Sequence, residues 1–204
     1  MWQISFALAI AQTYIKFTHN DLHSNNIMYS KTHLKYLYYH FNNKYYRVPT
    51  NGYILKIIDF GRAVFKLNNK IYFSDVFEFD GDAGEQYSYP FEKSKMDKAV
   101  YPNMSFDLSR LSSSIFDDLF PFHPDSTDID TQSHLNNDLY NLLLSWITDK
   151  HGNFVTRFDD FNLYKNIARD VNSAVPKDQL EKNIFKIFEI QKTKIPSKEN
   201  IYYY

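Results

Sequence analysis

The chain has 204 residues, 44% of them apolar and 18% aromatic, which suffices to fill the core of one domain or of part of a larger one. Its 23 basic and 24 acidic residues leave a formal net charge of -1, which excludes nucleic-acid binding through bulk positive charge. The absence of cysteine excludes a disulfide framework, a thiolate zinc site and a cysteine nucleophile.

Residues 3–17 read as a helix, with Ile4, Leu8, Ala11 and Ile15 near one face. Its apolar run is interrupted by Gln3, Ser5, Gln12 and Thr13, and no basic residue precedes it. A membrane span needs about 20 apolar residues and a signal peptide a basic start, so the reading is a buried amphipathic helix and no membrane partner. A polar knot runs from His19 to Asn26, and Ile27-Met28-Tyr29 then reads as a short strand. The Tyr- and Phe-dense stretch from Leu34 to Tyr46, with Asn42-Asn43 at its middle, reads as a half-buried hairpin or extended insertion. At near-zero net charge this is preferred to a platform stacking on bases. Pro49 to Gly52 is turn material, and Tyr53 to Ile58 reads as a buried strand.

From Asp59 to Pro102 no period is sustained, and the segment reads as a long irregular one. A helix is expected over Ser105 to Phe120, with Ser105 as N-cap and a stripe of Leu108, Leu111, Ile115 and Leu119. Residues 121–134 read as a solvated loop. Helices are expected over Leu135–Ile147, with Leu139, Leu142, Leu143 and Trp146 facing the core, over Asp159–Val171, and over Lys177–Gln191 with Pro176 in the first turn. Residues 192–204 read as a loose tail. The fold class expected is mainly α with a small β-hairpin, α+β in type. The abundance of Asn, Lys, Tyr and Phe reads as a mutational bias of an AT-rich genome.

The chemistry sits in His19-Asn20-Asp21-Leu22-His23-Ser24-Asn25-Asn26, between helix and strand, and in Ile57-Ile58-Asp59-Phe60-Gly61 after the second strand. Phosphoryl transfer from ATP asks for a partner to the acceptor hydroxyl, metal ligands on the phosphates, and positioning. Asp21 can orient or deprotonate a hydroxyl. The Asn26 amide oxygen, five residues on, and the Asp59 carboxylate can meet a magnesium ion, which prefers hard oxygen ligands and keeps several waters.

These residues resemble the protein-kinase catalytic loop H-R-D-L-x-x-x-N and metal motif D-F-G. The resemblance implies the C-terminal lobe of a kinase over residues 1–191, firmest over 1–120, with ATP and magnesium as cofactors and a protein as substrate. It implies Asp21 and His23 as catalytic residues and Asn26 and Asp59 as metal ligands. Asn26, Met28, Ile58 and Asp59 would line the ATP site, with Met28 as the floor under adenine. His19, Phe60, Gly61 and Asp107 would be structural. His19 would pack beneath Phe60, and Asp107, in Phe106-Asp107-Leu108-Ser109-Arg110-Leu111, would accept hydrogen bonds from catalytic-loop amides. The Asp-Leu-His form of the loop and the insertion before Asp59 resemble the haspin-like branch, including kinase-like proteins of large DNA viruses. The acceptors expected are Ser or Thr hydroxyls, and the location expected is cytoplasmic or the host cell interior.

The chain departs from the kinase pattern in three ways. Asn20 replaces the Arg that pairs with a phosphorylated activation loop, and His23 replaces a Lys. The sequence also holds no Gly-rich loop, strand lysine or Glu-bearing helix, so an N-terminal lobe is expected from elsewhere, possible as a separate chain. Tyr89-Pro90-Phe91-Glu92 is a loose echo of A-P-E. Two other functional classes stay open on the residues: a non-catalytic, pseudokinase-like binding module, and a small-molecule phosphotransferase, whose loop the Asp-Leu-His form also resembles. The alternation of His19, Asp21 and His23 is a third pattern, of transition-metal type.

Overall fold

Glycine and proline are absent between Trp2 and Ile15, so nothing interrupts the first helix, α1 (Trp2–Ile15), which Lys16 ends in the left-handed region at φ 50°. The computed structural model describes residues 1–78, 80–87, 102–120 (the side chain of residue 117 apart) and 137–204. The Tyr89–Glu92 echo and the solvated loop of 121–134 lie outside the described residues. Helix α1 is buried on more than one face, through Ile4, Phe6, Leu8, Ala9 and Gln12. Of the polar residues that break its apolar run, Gln3, Gln12 and Thr13 have hydrogen-bond partners. Gln3 clamps the strand β4 (Tyr53–Ile57), donating to the Tyr53 carbonyl and accepting from the Leu55 amide, both at 2.9 Å.

β1 (Ile27–Lys31) pairs antiparallel with β4, from Ile27 opposite Ile57 to Lys31 opposite Tyr53. The expected burial of β4 is not met. Tyr53 and Lys56 are exposed and the aliphatic residues half-buried, because one face of this two-stranded ribbon is left without a covering layer among the described residues. β2 (Tyr36–Phe41) and β3 (Lys44–Pro49) form the expected hairpin, joined by Asn42-Asn43 at φ 51° and 61°. Such a two-residue turn needs positive φ at both positions, which asparagine tolerates. Asn68-Asn69 make the same turn between β5 (Phe65–Leu67) and β6 (Lys70–Tyr72), inside the stretch expected to be irregular. Among the described residues asparagine fills six of the nine positive-φ non-glycine positions, so the compositional bias is put to structural use.

α2 (Phe106–Leu119) buries Phe106, Leu108, Leu111 and Phe116. Leu119, expected in its stripe, is exposed, since the helix turns its Phe116 side to the core. Ser105 precedes the helix as expected but makes no side-chain cap; its hydroxyl accepts the Ala174 amide instead. α3 (Asp138–Ile147) is capped by Asn137, whose side chain accepts from Leu139 and Tyr140. α4 (Asp160–Asp170) follows.

Two C-terminal expectations are corrected. The single helix over Lys177–Gln191 is two single turns, α5 (Pro176–Gln179) and α6 (Asn183–Lys186), followed by a strand, β7 (Glu189–Ile190). Tertiary packing overrides the helical period. Phe185 and Phe188 both meet Trp2, at ring distances of 4.5 and 5.2 Å, and the Phe188 carbonyl accepts the Arg47 amide of β3. The loose tail is also structured. β8 (Ile201–Tyr203) runs parallel to β2, giving a four-stranded sheet in the order β7-β3-β2-β8. The fold is therefore mixed α and β with small sheets, richer in strand than a lone hairpin. Phe6, Phe41, Tyr46, Phe106 and Trp146 are among the buried residues of its principal core. Among the described residues no helix is long and apolar enough to cross a membrane.

Candidate functional site

The polar knot between α1 and β1 is held from below by one carboxylate. Asp107, in the first turn of α2, is fully buried. Its two oxygens accept the His19 amide at 3.1 and 2.9 Å, and one of them also accepts the Asn20 amide at 2.9 Å. A buried carboxylate needs such donors. Burial pushes its carboxyl up, and the amides and the charge of His19 pull the other way.

His19 carries the tie onward. Its Nε2 lies 2.8 Å from the Ile58 carbonyl oxygen, and its ring sits 5.6 Å from that of Phe60. Asn20 adopts φ 63°. It donates to the Thr18 hydroxyl and the Arg62 carbonyl and accepts from the Tyr87 hydroxyl. The position expected to lack a guanidinium is thus a neutral knot joining the loop to the segment after Gly61.

The ladder of β1 and β4 does the rest. Its last pair sets Asn26 beside Ile58, whose amide donates to the Asn26 carbonyl at 3.0 Å. Asp59, at φ 62°, follows directly, and its Oδ1 lies 3.4 Å from the Gly61 amide. The Asn26 side chain donates to the Asp21 carbonyl at 2.9 Å and lies 3.3 Å from His23 Nε2. That use of Nδ2 leaves Oδ1 without a hydrogen bond among the described residues. His23 Nε2 is 3.8 Å from Asp21 Oδ1. Burial pushes the His23 imidazole below its usual range, Arg110 and His19 add to this, and the carboxylates of Asp21 and Asp59 oppose it.

Asp21, His23 and Asn26 therefore lie together, and the pairing of Asn26 with Ile58 brings the backbone of Asp59 to the same edge of the fold. Met28 lies on the exposed face of β1, and Phe60 is exposed too. A free amide oxygen and a carboxylate are the hard donors that magnesium takes when phosphates and water complete its shell. The transition-metal pattern does not form. The His19 ring is turned to Ile58, and no group of three His, Asp or Glu is gathered for a metal among the described residues.

Sequence reasoning missed a further group at the site. Tyr164 of α4 donates to Asp21 Oδ1 at 2.5 Å across 143 residues. The guanidiniums of Arg62 and Arg110 lie 5.4 and 5.0 Å from its ring. Such distant pairing leaves no local spacing signal.

The class this site resembles is that of the serine/threonine-protein kinases, and known proteins bear on the branch. No protein-family model matches the chain. Haspin of Bos taurus, named a serine/threonine-protein kinase, is 34% identical over 90 residues, which is 44% of this chain and 12% of that protein. Haspin of Mus musculus is 37% identical over 74 residues, covering 36% of this chain and 10% of the relative. A protein of Acanthamoeba polyphaga mimivirus, whose name also describes a serine/threonine-protein kinase, is 33% identical over 99 residues, 40% of this chain and 25% of its own length. The chain has a haspin-like kinase relationship over part of its length, and the matches span a quarter or less of each of these relatives.

Proposed function

We propose that the chain is the C-terminal, catalytic lobe of an ATP- and magnesium-dependent serine/threonine protein kinase, completed by an N-terminal lobe in cis or in trans. The observation that carries this reading is the tie from Asp107 through His19 to Ile58, which holds the loop of Asp21 and Asn26 against the strand end that bears Asp59. The names of the partial relatives point the same way.

In this reading Asp21 receives the proton of the acceptor hydroxyl as general base. His23, kept neutral by burial, offers a hydrogen bond to the transferred phosphoryl group. Asn26 and Asp59 hold magnesium, which supplies charge neutralisation on the β- and γ-phosphates. Met28 and Ile58 face adenine. The exposed Phe60 and Tyr72 line one apolar hollow with Phe17 and Phe65, and an N-terminal lobe would rest there, since large apolar groups grouped at a surface mark interaction sites. A cytoplasmic or host-cell-interior location accompanies a protein substrate and an ATP cofactor.

The test has two arms. Millimolar ATP with magnesium should raise the melting temperature of the chain by mass action, and EDTA or Asp59→Asn should remove the rise. With an N-terminal lobe supplied, phosphate transfer to a protein panel should fall in Asp21→Asn. Equal rates in the two would remove Asp21 from the mechanism. Binding without transfer to any acceptor would instead make the protein a nucleotide-binding module, and transfer only to small alcohols a small-molecule phosphotransferase.

A further inference from the structure

The Asp21 carboxylate has two oxygens in unlike settings. Oδ1 accepts the Tyr164 hydroxyl at 2.5 Å and stands 3.8 Å from His23 Nε2. Oδ2 has no protein hydrogen bond among the described residues. The backbone of the loop is held by Asp107, but nothing in the loop itself fixes the torsion of this side chain. The phenol does so from α4, a helix remote in sequence.

The phenol is itself held. The guanidiniums of Arg62 and Arg110 both lie over its ring, and the ring meets Phe106 and Phe161, each at a centroid distance of 6.0 Å. Burial, and then the hydrogen bond to Asp21, push its ionisation above the usual phenol range, so near neutral pH it remains a donor. A hydrogen bond to a charged acceptor is about twice as strong as a neutral one. Arg62 directly follows Gly61, so the ring also joins the Asp21 carboxylate to the segment that carries Asp59.

Building on the kinase reading, we propose that Tyr164 is the positioning residue of Asp21: it engages Oδ1 and thereby presents Oδ2 to the acceptor hydroxyl. Tyr164 touches neither phosphate nor acceptor. Removing its hydroxyl frees the carboxylate to rotate, and a misplacement of about 1 Å at a reacting group can cost on the order of a hundred-fold in rate.

The test uses Tyr164→Phe, which keeps the ring and its packing. In the chain alone, labelled with 3-fluorotyrosine, the fluorine resonance lost in Tyr164→Phe identifies Tyr164. That resonance should move in Asp21→Asn, and an unmoved one would overturn the contact. With an N-terminal lobe supplied, Tyr164→Phe should lower kcat about ten- to a hundred-fold while KM for ATP stays within about two-fold, a split that general loss of structure would not give. An unchanged kcat in an otherwise active enzyme overturns the positioning role. A wild-type protein that transfers no phosphate overturns the kinase reading instead, and the fluorine shift then still reports whether the two side chains meet.

Discussion

The His19 imidazole and the Ile58 carbonyl oxygen meet at 2.8 Å although 39 residues separate them in the chain. Both the hairpin of β2 and β3 and the turn at Asn51-Gly52 lie between them, so the insertion loops outward without disturbing the join. His19 is wholly buried, and its replacement strands the Ile58 carbonyl away from water. His19→Leu should cost about 1–3 kcal/mol, the penalty of one buried unsatisfied group. The drop in urea midpoint at unchanged m-value measures it. A cost near zero would show that the carbonyl has another partner.

Asp107 sets a graded series. Asp107→Ala leaves the His19 and Asn20 amides without an acceptor and should cost roughly 2–5 kcal/mol. Asp107→Asn should cost less. One amide oxygen can still accept both amides, as Oδ1 does at 3.1 and 2.9 Å, while the amide nitrogen confronts the His19 amide at the other site. Chemical denaturation of the three proteins ranks them, and an Asn variant as unstable as the Ala variant would deny that Oδ1 carries the clasp.

Much of this site was legible because kinase-like chemistry uses residue types at short spacings. Asp21, Asn26, Asp59 and the buried Asp107 are each found within a few residues of a helix or strand end. The Asn42-Asn43 turn was visible for a similar reason: its backbone demand is local. Tyr164 was not legible, because nothing near it in sequence records a partner 143 residues away. The C-terminal segment misled for a different reason. Apolar residues at Leu180, Ile184, Phe185 and Phe188 satisfy a helical period, yet the sheet edge offered by β3 and the ring of Trp2 draw the chain into turns and a strand.

The strand at the C-terminus should therefore matter to stability. β8 covers the edge of β2, Tyr204 donates its amide to the His40 carbonyl at 3.0 Å, and Tyr202 and Tyr204 lie against Tyr39. Tyr39 is pushed above the ordinary phenol range, mainly by burial and further by the charges of those two tyrosines. Deleting residues 200–204 should bring Tyr39 back toward the ordinary phenol range and speed amide exchange along β2. Ultraviolet titration and hydrogen exchange read the two effects, and unchanged exchange would mean that β8 adds nothing to the sheet.

Phe185 probes the corrected helix. It is fully buried and meets Trp2 edge-on at 4.5 Å. Phe185→Ala should cost about 3–5 kcal/mol and shift the Trp2 emission to the red as water reaches the indole. The same assay on Ile187→Ala, at an exposed side chain, should show almost no change. Comparable losses at both positions would restore a continuous helix with a different buried face.

The sign of the pH response at the site follows from His23. Its folded-state pKa lies below its usual value, with burial the largest cause. The neutral form is thus the one the fold prefers. The stability this contributes is present above the unfolded value near 6.5 and is lost as pH falls through the lower folded value. Two variants separate the charges involved. Asp21→Asn removes an attractive carboxylate and should lower the His23 pKa further, whereas Arg110→Gln removes a repulsive guanidinium and should raise it. Titration of the imidazole carbon-bound proton by NMR gives all three values. A shift of the same sign in both variants would mean that His23 does not sit between these groups, and the shared edge of Asp21, His23 and Asp59 would be lost with it.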